Sequence, residues 1–318
     1  MSAPQYSLSD MHELQAFAAL RGVTLIGELD LPGHGTGFTC TALDLFAFPS
    51  SRNTSCDANQ VTNFLDPETV KRMQTLLDEV SAVFPSPIIH MGGDELQWWR
   101  IDNLTEVAAA LTKTGLSSDR DLYRKFIEEM RVFAVSRNKT LHVWEGFGPK
   151  DGQPGHEPTS AMGWSPKSSV VVNTENLVVG AFDGTINSYN PRSLVDDGYQ
   201  VINTMTTPLY VDQPTSPELI WQWNPWLFGQ LTYANEAPGW ESWWEIPEGT
   251  GTGRSAVQGV QTAAWAMPGT EQIQRMRRNM PAFTERSWHP EGSRNYADFQ
   301  FRAAKADAAL ATLLAAVK

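Results

Sequence analysis

The sequence has little of what marks membrane-bound, nucleic-acid-binding or cysteine-rich proteins. No apolar run approaches the roughly 20 residues that a membrane-spanning helix needs. Acidic residues outnumber basic ones, 36 to 24, and the net charge is −12. Such a charge disfavours nucleic acid and anionic lipid surfaces as partners, because their phosphates would be repelled. We therefore expect a globular protein without a nucleic-acid or membrane partner.

Cysteine is nearly absent, since Cys40 and Cys56 are the only two. The 15 residues between them are predicted to form a loop. A disulfide that closes this loop and two free thiols are both compatible with the sequence. The amino terminus lacks a basic region followed by an apolar core, so we expect no signal peptide in this chain. Sequons at Asn53, Asn103 and Asn138 favour a secreted or lumenal location without fixing the compartment.

The composition is that of a soluble globular enzyme, with 41% hydrophobic and 19% charged residues over 318 positions. This length suits one large domain or two ordinary ones, and we predict a single catalytic domain over residues 1–318. The twelve Trp residues have two interpretations. They fill a large core, or some of them stack against the apolar faces of sugar rings.

Helical and extended segments alternate along the chain, which predicts a parallel sheet. The expected strands are Val23–Leu29, Ile88–Met91, Thr140–Trp144, Tyr199–Met205 and Val257–Trp265. Helices are expected at Ser7–Arg21, from Asp66 to about Val83, around Asp121–Arg137, at Pro191–Asp197 and from about Thr270. The segments Gly146–Pro166 and Trp221–Trp244 are predicted to be long loops.

Polar and aromatic residues follow nearly every predicted strand. They are Asp30 and His34, Asp94 and Glu95, Trp144 and Glu145, Tyr210 and Asp212, and Trp265. A parallel barrel builds its active site at the carboxyl ends of its strands, whereas a doubly wound sheet concentrates ligand contacts at one switch point. Contributions from five strands favour an α/β fold of the TIM type, a (β/α) barrel.

The strongest chemical signal is the segment Ile88-Ile89-His90-Met91-Gly92-Gly93-Asp94-Glu95. Two glycines allow close approach at the strand end, and two adjacent carboxylates follow. Their mutual repulsion can hold one of them protonated, and a carboxylic acid beside a carboxylate is what glycosidic bond cleavage requires. Alone, the Gly-Gly-Asp-Glu tetrapeptide is also compatible with a turn or a pair of metal ligands.

Four further segments accompany that one in a fixed order. They are Tyr6–His34 with its Asp-x-Pro-Gly-His motif, Val143-Trp144-Glu145, Tyr210-Val211-Asp212 and Pro281–Trp288. Together the five segments resemble glycoside hydrolase family 20, the β-N-acetylhexosaminidases. The resemblance runs from Tyr6 to about Trp288. It implies substrate-assisted catalysis without metal or cofactor, an exception to the usual carboxylate nucleophile.

The resemblance also implies a role for each matching residue. Glu95 corresponds to the general acid, and Asp94 to the carboxylate that holds the N–H of the substrate's 2-acetamido group. The carbonyl oxygen of that group then attacks the anomeric carbon and forms an oxazolinium ion. Tyr210 corresponds to the tyrosine that donates its hydroxyl to this carbonyl, and His34 to the histidine that steadies the proton of the acid.

The remaining matches concern substrate binding. Trp144 and Trp265 would wall the pocket, Asp212 would contact a sugar hydroxyl, and Asp30 of the Asp-x-Pro-Gly-His motif joins the substrate-binding candidates. Each has a plainer interpretation, such as a strand-end cap for Asp30 or a core residue for Trp265. Glu285, Arg286 and Trp288 also match the family, and we interpret them as helix packing outside the site.

The sequence departs from the family pattern at two places. Met267 stands where the family usually has the Glu that binds hydroxyls 4 and 6, and Gly259-Val260-Gln261 replaces a Gly-Gly-Glu. Tyr6 aligns with the start of the second barrel helix, so we expect an incomplete barrel of about six βα units. Two open strand edges would invite pairing, and we favour a homodimer over closure by residues 221–244 or a narrower barrel.

The sequence thus predicts an exo-acting glycosidase that releases terminal β-linked N-acetylglucosamine or N-acetylgalactosamine. One alternative is a relative that acts on a disaccharide or a 6-substituted sugar, which the missing carboxylate at Met267 would allow. The other is a non-catalytic sugar-binding remnant. Retention of Asp94, Glu95, Tyr210 and His34 together argues against the remnant, because a binding module needs no general acid.

Overall fold

The computed structural model describes residues 6–51, 61–96, 98–145, 169–175, 191–196, 198–228, 244–245, 253–265, 267–291 and 295–316. The chain divides into two compact units. The first comprises Met1–Asn173, Leu177–Tyr189 and Ser193–Gln200, and the second comprises Thr174–Asn176, Asn190–Arg192 and Val201–Lys318. The single domain expected from the sequence stays a prediction, as does the homodimer.

The first unit contains most of the described helices of the amino-terminal half, and the starts of two of them, at Leu8 and Pro67, follow the expected capping chemistry. The helices are α1 (Leu8–Ala19), α2 (Thr36–Thr41), α3 (Leu43–Phe46), α4 (Pro67–Val83), α5 (Trp98–Ile101), α6 (Thr105–Thr114) and α7 (Asp119–Ser136), with a 3-10 turn at Pro49–Ser51. Ser7 and Asp10 form a capping box, and the Asp66 side chain accepts the Thr69 N–H at 3.0 Å. The helices predicted from Ser7 and Asp66 are therefore confirmed. Cys40 of α2 is disulfide-bonded, while Cys56 lies outside the described residues.

Three parallel strands form the core of the first unit. β1 (Ile88–His90) pairs with β2 (Thr140–Trp144), and β2 pairs with β3 (Val170–Thr174) through the latter's first four residues. Sequence analysis missed β3, although its run of three valines is typical of a buried strand. Helix α7 covers β2 with a face that includes Tyr123, Phe126 and Met130, all buried.

The predicted strand Val23–Leu29 is shorter than expected. Only Glu28 forms a bridge, to His90, and the backbone N–H groups of Leu29 and Leu31 donate to His90 and Met91 at 3.1 and 2.8 Å. The neighbouring β1 has only three residues, which limits how far pairing can extend. Gly27 itself packs closely on the end of α4, where a Cβ would lie 2.5 Å from the ring of Phe84.

The second unit has its own pair of parallel strands, β4 (Gln200–Asn203) and β7 (Val257–Val260), and an antiparallel pair, β5 (Leu227–Phe228) and β6 (Trp244–Glu245). A register shift falls between Val201 and Ile202. Both parallel strands are shorter than predicted. Beyond β7, only the Gln261 N–H bond to Asn203 and a bridge between Tyr210 and Ala263 continue the pairing.

The second unit's helices are α9 (Thr206–Leu209), α10 (Pro217–Gln222), α11 (Gly253–Ala256), α12 (Gly269–Trp288) and α13 (Tyr296–Ala316), and α8 (Pro191–Asp196) has residues in both units. The predicted loop over residues 221–244 is wrong at its start, where α10 ends and β5 follows, and residues 229–243 lie outside the described part, as do 146–166. Among the described helices, none combines the length and apolar character that crossing a bilayer demands.

Helix α12 packs through its carboxyl-terminal half. Arg286 is 1% exposed, and its Nε and Nη2 donate to the Trp223 carbonyl at 3.2 and 3.0 Å. Glu285 pairs with Arg302 of α13 at 2.5 Å. The packing role is therefore confirmed for Arg286 and Glu285. It is wrong for Trp288, whose side chain is exposed.

Candidate active site

The two adjacent carboxylates leave β1 through a sharply turned backbone. Gly92 and Gly93 have φ of +66° and +96°, in the left-handed region that favours glycine. A Cβ on Gly92 would lie 2.1 Å from Oδ1 of Asp30, so only glycine permits this approach. Glu95 itself has φ of +45°, a conformation that non-glycine residues adopt at a cost. Local strain at the predicted acid is typical of a functional position.

The Asp-x-Pro-Gly-His segment lies directly against these carboxylates. A Cβ on Gly33 would lie 2.3 Å from the carbonyl oxygen of Asp94, and Oδ1 of Asp30 accepts the Gly93 N–H at 3.0 Å. The structure thus brings Asp30, His34, Asp94 and Glu95 together at the carboxyl end of β1. The glycines are the physical reason for the close packing of these two segments.

His34 is held between both carboxylates. Its Nε2 lies 3.6 Å from Oδ2 of Asp94 and 3.3 Å from Oε2 of Glu95. Hydrogen bonds to Asp94 and to Glu95 raise the pKa of His34 to about 11, against the opposing effect of burial. At neutral pH His34 is therefore an imidazolium that neutralises part of the carboxylate charge.

Two further carboxyl groups, those of Asp30 and Glu28, lie close to His34 and Asp94. Burial, and then the charge of Asp94, raises the pKa of Asp30 well above its ordinary value. Burial also raises the pKa of Glu28, against the effect of a hydrogen bond that the indole N–H of Trp144 donates to its Oε1 at 2.7 Å. Trp144 is 1% exposed. Its ring is therefore held inside the first unit, and its role as a pocket wall stays a prediction.

Asp94 carries an unused hydrogen-bonding position. Its Oδ2 faces His34, but its Oδ1 is buried and finds no hydrogen-bond donor among the described residues. An acceptor that stays unpaired in a buried site costs about 1–3 kcal/mol. A donor from a bound molecule would satisfy this acceptor.

The other predicted site residues belong to the second unit and come together there. Val211 donates its N–H to Ala263 at 2.7 Å, and Trp265 donates its N–H to Oδ1 of Asp212 at 3.4 Å. The rings of Tyr210 and Trp265 are 6.2 Å apart, edge to face. Trp265 is 43% exposed, so part of its ring is open to a ligand.

Sequence reasoning missed several side chains that contact the predicted site residues or the backbone beside them, among them Glu28, Glu175 and Tyr123. Glu28 accepts from Trp144, Glu175 accepts the Tyr210 hydroxyl, and the hydroxyl of Tyr123 donates to the Gly93 carbonyl at 2.5 Å. Glu28 was detectable, because it lies two residues before Asp30 and alternation places both on one side of an extended segment. Glu175 directly follows β3, which was itself missed.

A divalent cation would find three ligand atoms here. One atom each of Asp30, His34 and Asp94 lies within 4.8 Å of the others. These side chains already have other partners, since Asp30 accepts from Gly93 at 3.0 Å and Nε2 of His34 lies 3.3 Å from Oε2 of Glu95. The predicted absence of a metal and a cofactor stays a prediction.

The raised pKa of His34 makes a stability measurement informative. Below its unfolded value of 6.5 the imidazole is charged in both states, and between 6.5 and about 11 only the folded protein keeps the proton. The contribution of His34 to the free energy of unfolding should therefore fall as the pH rises through this window. Urea unfolding of the wild type and His34→Asn should show a difference that shrinks from pH 6.5 upward. A difference that stays constant or grows would contradict the ion pairs.

Comparison with known proteins supports a family assignment. The family model for the glycosyl hydrolase family 20 catalytic domain matches residues 1–291. A curated β-hexosaminidase of Akkermansia muciniphila is 25% identical over 143 residues, 44% of this chain and 29% of that protein. The mouse β-hexosaminidase subunit beta is 23% identical over 298 residues, 90% of this chain and 47% of the relative. The chain thus spans less than half the length of these relatives.

Solved structures share the fold. The β-N-acetylhexosaminidase of Bacteroides fragilis NCTC 9343 superposes with a TM-score of 0.70 at 20% identity, covering 98% of this chain and 58% of that one. An exo β-N-acetylglucosaminidase of Vibrio harveyi gives 0.69 at 19% identity, covering 98% and 45%. The predicted fold class, a TIM-type α/β barrel, is confirmed. The family match over residues 1–291 shows that this chain belongs to glycosyl hydrolase family 20.

Proposed function

We propose that this chain is the catalytic part of a retaining exo-β-N-acetylhexosaminidase, which releases terminal N-acetylglucosamine or N-acetylgalactosamine from a glycan. The observation that carries the proposal is the buried Oδ1 of Asp94, which accepts no hydrogen bond from the described residues, beside the strained Glu95. An acetamido N–H is the donor that this acceptor lacks. The family membership and the β-hexosaminidase relatives support the same substrate class.

Asp94 orients the substrate's own nucleophile in this proposal. When Oδ1 accepts the acetamido N–H, the carbonyl oxygen of the same group is turned towards the anomeric carbon. The negative charge of Asp94 also stabilises the positive charge that develops on the forming oxazolinium ring. No bond between sugar and protein is needed.

Glu95 and His34 act as the proton-transfer pair. Glu95 is one-third exposed, so its carboxyl group is accessible to a leaving-group oxygen, and His34 stands 3.3 Å behind it. Glu95 donates its proton as the glycosidic bond breaks and then accepts one from the water that opens the oxazolinium ion. Before the reaction His34 passes its Nε2 proton to Glu95 across this distance, which leaves a neutral imidazole beside the protonated acid.

The resemblance to the family assigns the remaining contacts to Tyr210, Asp212 and Trp265. Tyr210 donates its hydroxyl to the acetamido carbonyl, and Asp212 contacts a sugar hydroxyl. Trp265 offers its exposed ring to the apolar face of the sugar. Asp30 and Trp144 are the remaining supporting residues in this proposal. The mechanism needs neither a metal nor a cofactor.

A second substrate class is favoured by one residue. Met267 has a thioether in place of the family carboxylate, and a thioether is a poor acceptor for the hydroxyls at positions 4 and 6. A sugar that carries a substituent at position 4 or 6 loses nothing by this change. The alternative interpretation as a sugar-binding remnant does not explain the strained Glu95 or its pairing with His34.

We expect Glu95→Gln to lower kcat by several orders of magnitude on substrates with poor leaving groups. Activated aryl glycosides should lose much less, because their leaving groups hardly need protonation. Glu79→Gln, on the exposed side of α4, is the matched control and should leave both rates unchanged. Equal losses on both substrate types would show that Glu95 is not the general acid.

Thiazoline mimics of the oxazolinium ion should inhibit far more tightly than N-acetylglucosamine, because they resemble the transition state. Inhibition constants measured with p-nitrophenyl β-N-acetylglucosaminide and its galacto epimer would test this. Ready hydrolysis of a plain β-glucoside, which has no acetamido group, would rule out the substrate-assisted mechanism.

Met267→Glu should improve hydrolysis of unsubstituted N-acetylglucosaminides if a carboxylate at this position can reach the sugar hydroxyls. The gain would appear as a lower KM, since the contact is made in the ground state as well. Met267→Leu is the control for the loss of the thioether alone. A loss of activity in Met267→Glu, with Met267→Leu unchanged, would favour the substituted sugar.

A further inference from the structure

The Tyr210 hydroxyl is held by a buried carboxyl group of the second unit. Its partner is Oε2 of Glu175, the residue that directly follows β3. Tyr210 is 4% exposed and Glu175 is 5% exposed. The contact therefore forms away from bulk water, where a hydrogen bond is stronger and an unpaired group costs more.

The backbone reinforces this contact. The Glu175 carbonyl accepts both the N–H and the hydroxyl of Thr206, at 3.2 and 3.1 Å. Thr206 begins α9, and its own carbonyl accepts the Tyr210 N–H at 2.9 Å. Glu175 thus fixes both the amino-terminal end of the short helix that precedes Tyr210 and the hydroxyl at the tip of the Tyr210 side chain.

A phenol has one proton, and this limits what Tyr210 can do. If that proton goes to an ionised Glu175, the hydroxyl presents only lone pairs to a ligand and cannot donate to an acetamido carbonyl. If Glu175 is instead the protonated partner, it donates to the Tyr210 oxygen and leaves the tyrosine proton for the ligand. The positions of the two oxygen atoms fit both arrangements, because they do not fix which oxygen carries the shared proton.

We propose that Glu175 is a positioning residue for Tyr210. In the substrate complex it acts as a neutral acid that donates to the Tyr210 oxygen and directs the tyrosine proton to the substrate carbonyl. Burial favours the neutral form of a carboxyl group, which suits this role. The inference rests on the proposed function, because it takes the acetamido carbonyl as the acceptor for Tyr210.

The two proposed hydrogen bonds, from Glu175 to Tyr210 and from Tyr210 to the substrate carbonyl, should strengthen each other. A hydroxyl that accepts one hydrogen bond donates a stronger one, so Glu175 should strengthen the contact that Tyr210 makes with the carbonyl. Because this carbonyl oxygen becomes the nucleophile, the effect belongs to the chemical step and should appear in kcat more than in KM.

The test is a double-mutant cycle on the full chain. The variants are Glu175→Leu, Glu175→Gln, Tyr210→Phe and the double variant E175L/Y210F. Turnover of p-nitrophenyl β-N-acetylglucosaminide gives kcat and KM, and thermal unfolding reports the folded fraction. Glu175→Leu should lower kcat about 10–100-fold, in the range seen for supporting residues, with little change in KM.

Two results distinguish positioning from a merely structural role. Glu175→Gln keeps an N–H donor of similar shape and should retain kcat within about threefold, because a neutral donor suffices. In the Tyr210→Phe background Glu175→Leu should cost almost nothing further, since the two residues act as one unit. If Glu175→Leu does not fold, the kcat of Glu175→Gln alone distinguishes the positioning role from a structural one.

Contrary outcomes are equally clear. Any of three results would overturn the positioning role and leave the proposed function intact. Glu175→Gln could be as slow as Glu175→Leu, or Glu175→Leu could keep the wild-type kcat. The third is a double variant in which the losses of kcat from Glu175→Leu and Tyr210→Phe add in full. A folded wild type that neither hydrolyses N-acetylhexosaminides nor binds the thiazoline would overturn the proposed function, and this inference with it.

Discussion

His34 lies between the carboxylates of Asp94 and Glu95, and the surrounding backbone is shaped to bring these three side chains together. Gly33 and Gly92 occupy positions where a Cβ would lie 2.3 Å or less from the opposite segment. Without that approach the imidazole could not reach both carboxylates. The ion pairs in turn keep one positive charge at the carboxyl end of β1, which holds the two acids in fixed places.

The single positive charge of His34 is smaller than the negative charge that the surrounding carboxyl groups would carry if all of them were ionised. Burial and the charge of Asp94 raise the pKa of Asp30, and burial raises the pKa of Glu28, so both favour their neutral forms. The surrounding carboxyl groups thereby support Asp94 and Glu95 without adding full negative charge beside them. In the proposed mechanism, Asp94 would then use its second oxygen for a ligand N–H, while Glu95 would exchange protons. The proposed chemistry depends on this division of roles.

Much of this site could be predicted from the sequence, because its tight turns and close backbone contacts require particular residues that can be recognised there. Gly-Gly-Asp-Glu after a strand and Asp-x-Pro-Gly-His after another place their carboxylates by local geometry. Glu28 and Glu175 were missed because their roles depend on partners more than 30 residues away, Trp144 and Tyr210. The strand lengths predicted from the sequence were wrong for a similar reason. A run such as Val23–Leu29 has strand composition, but a neighbour of only three residues limits how far pairing extends.

In the proposed function, the substrate's own acetamido oxygen, positioned by Asp94, is the nucleophile. The most direct test measures kcat/KM for aryl glycosides whose N-acetyl group carries none, one, two or three fluorine atoms. Fluorine withdraws electron density from the carbonyl oxygen and weakens it as a nucleophile, while the leaving group and the sugar ring stay the same. We expect a steep and steady fall in kcat/KM with each fluorine. A rate that is insensitive to fluorination would show that another group attacks the anomeric carbon.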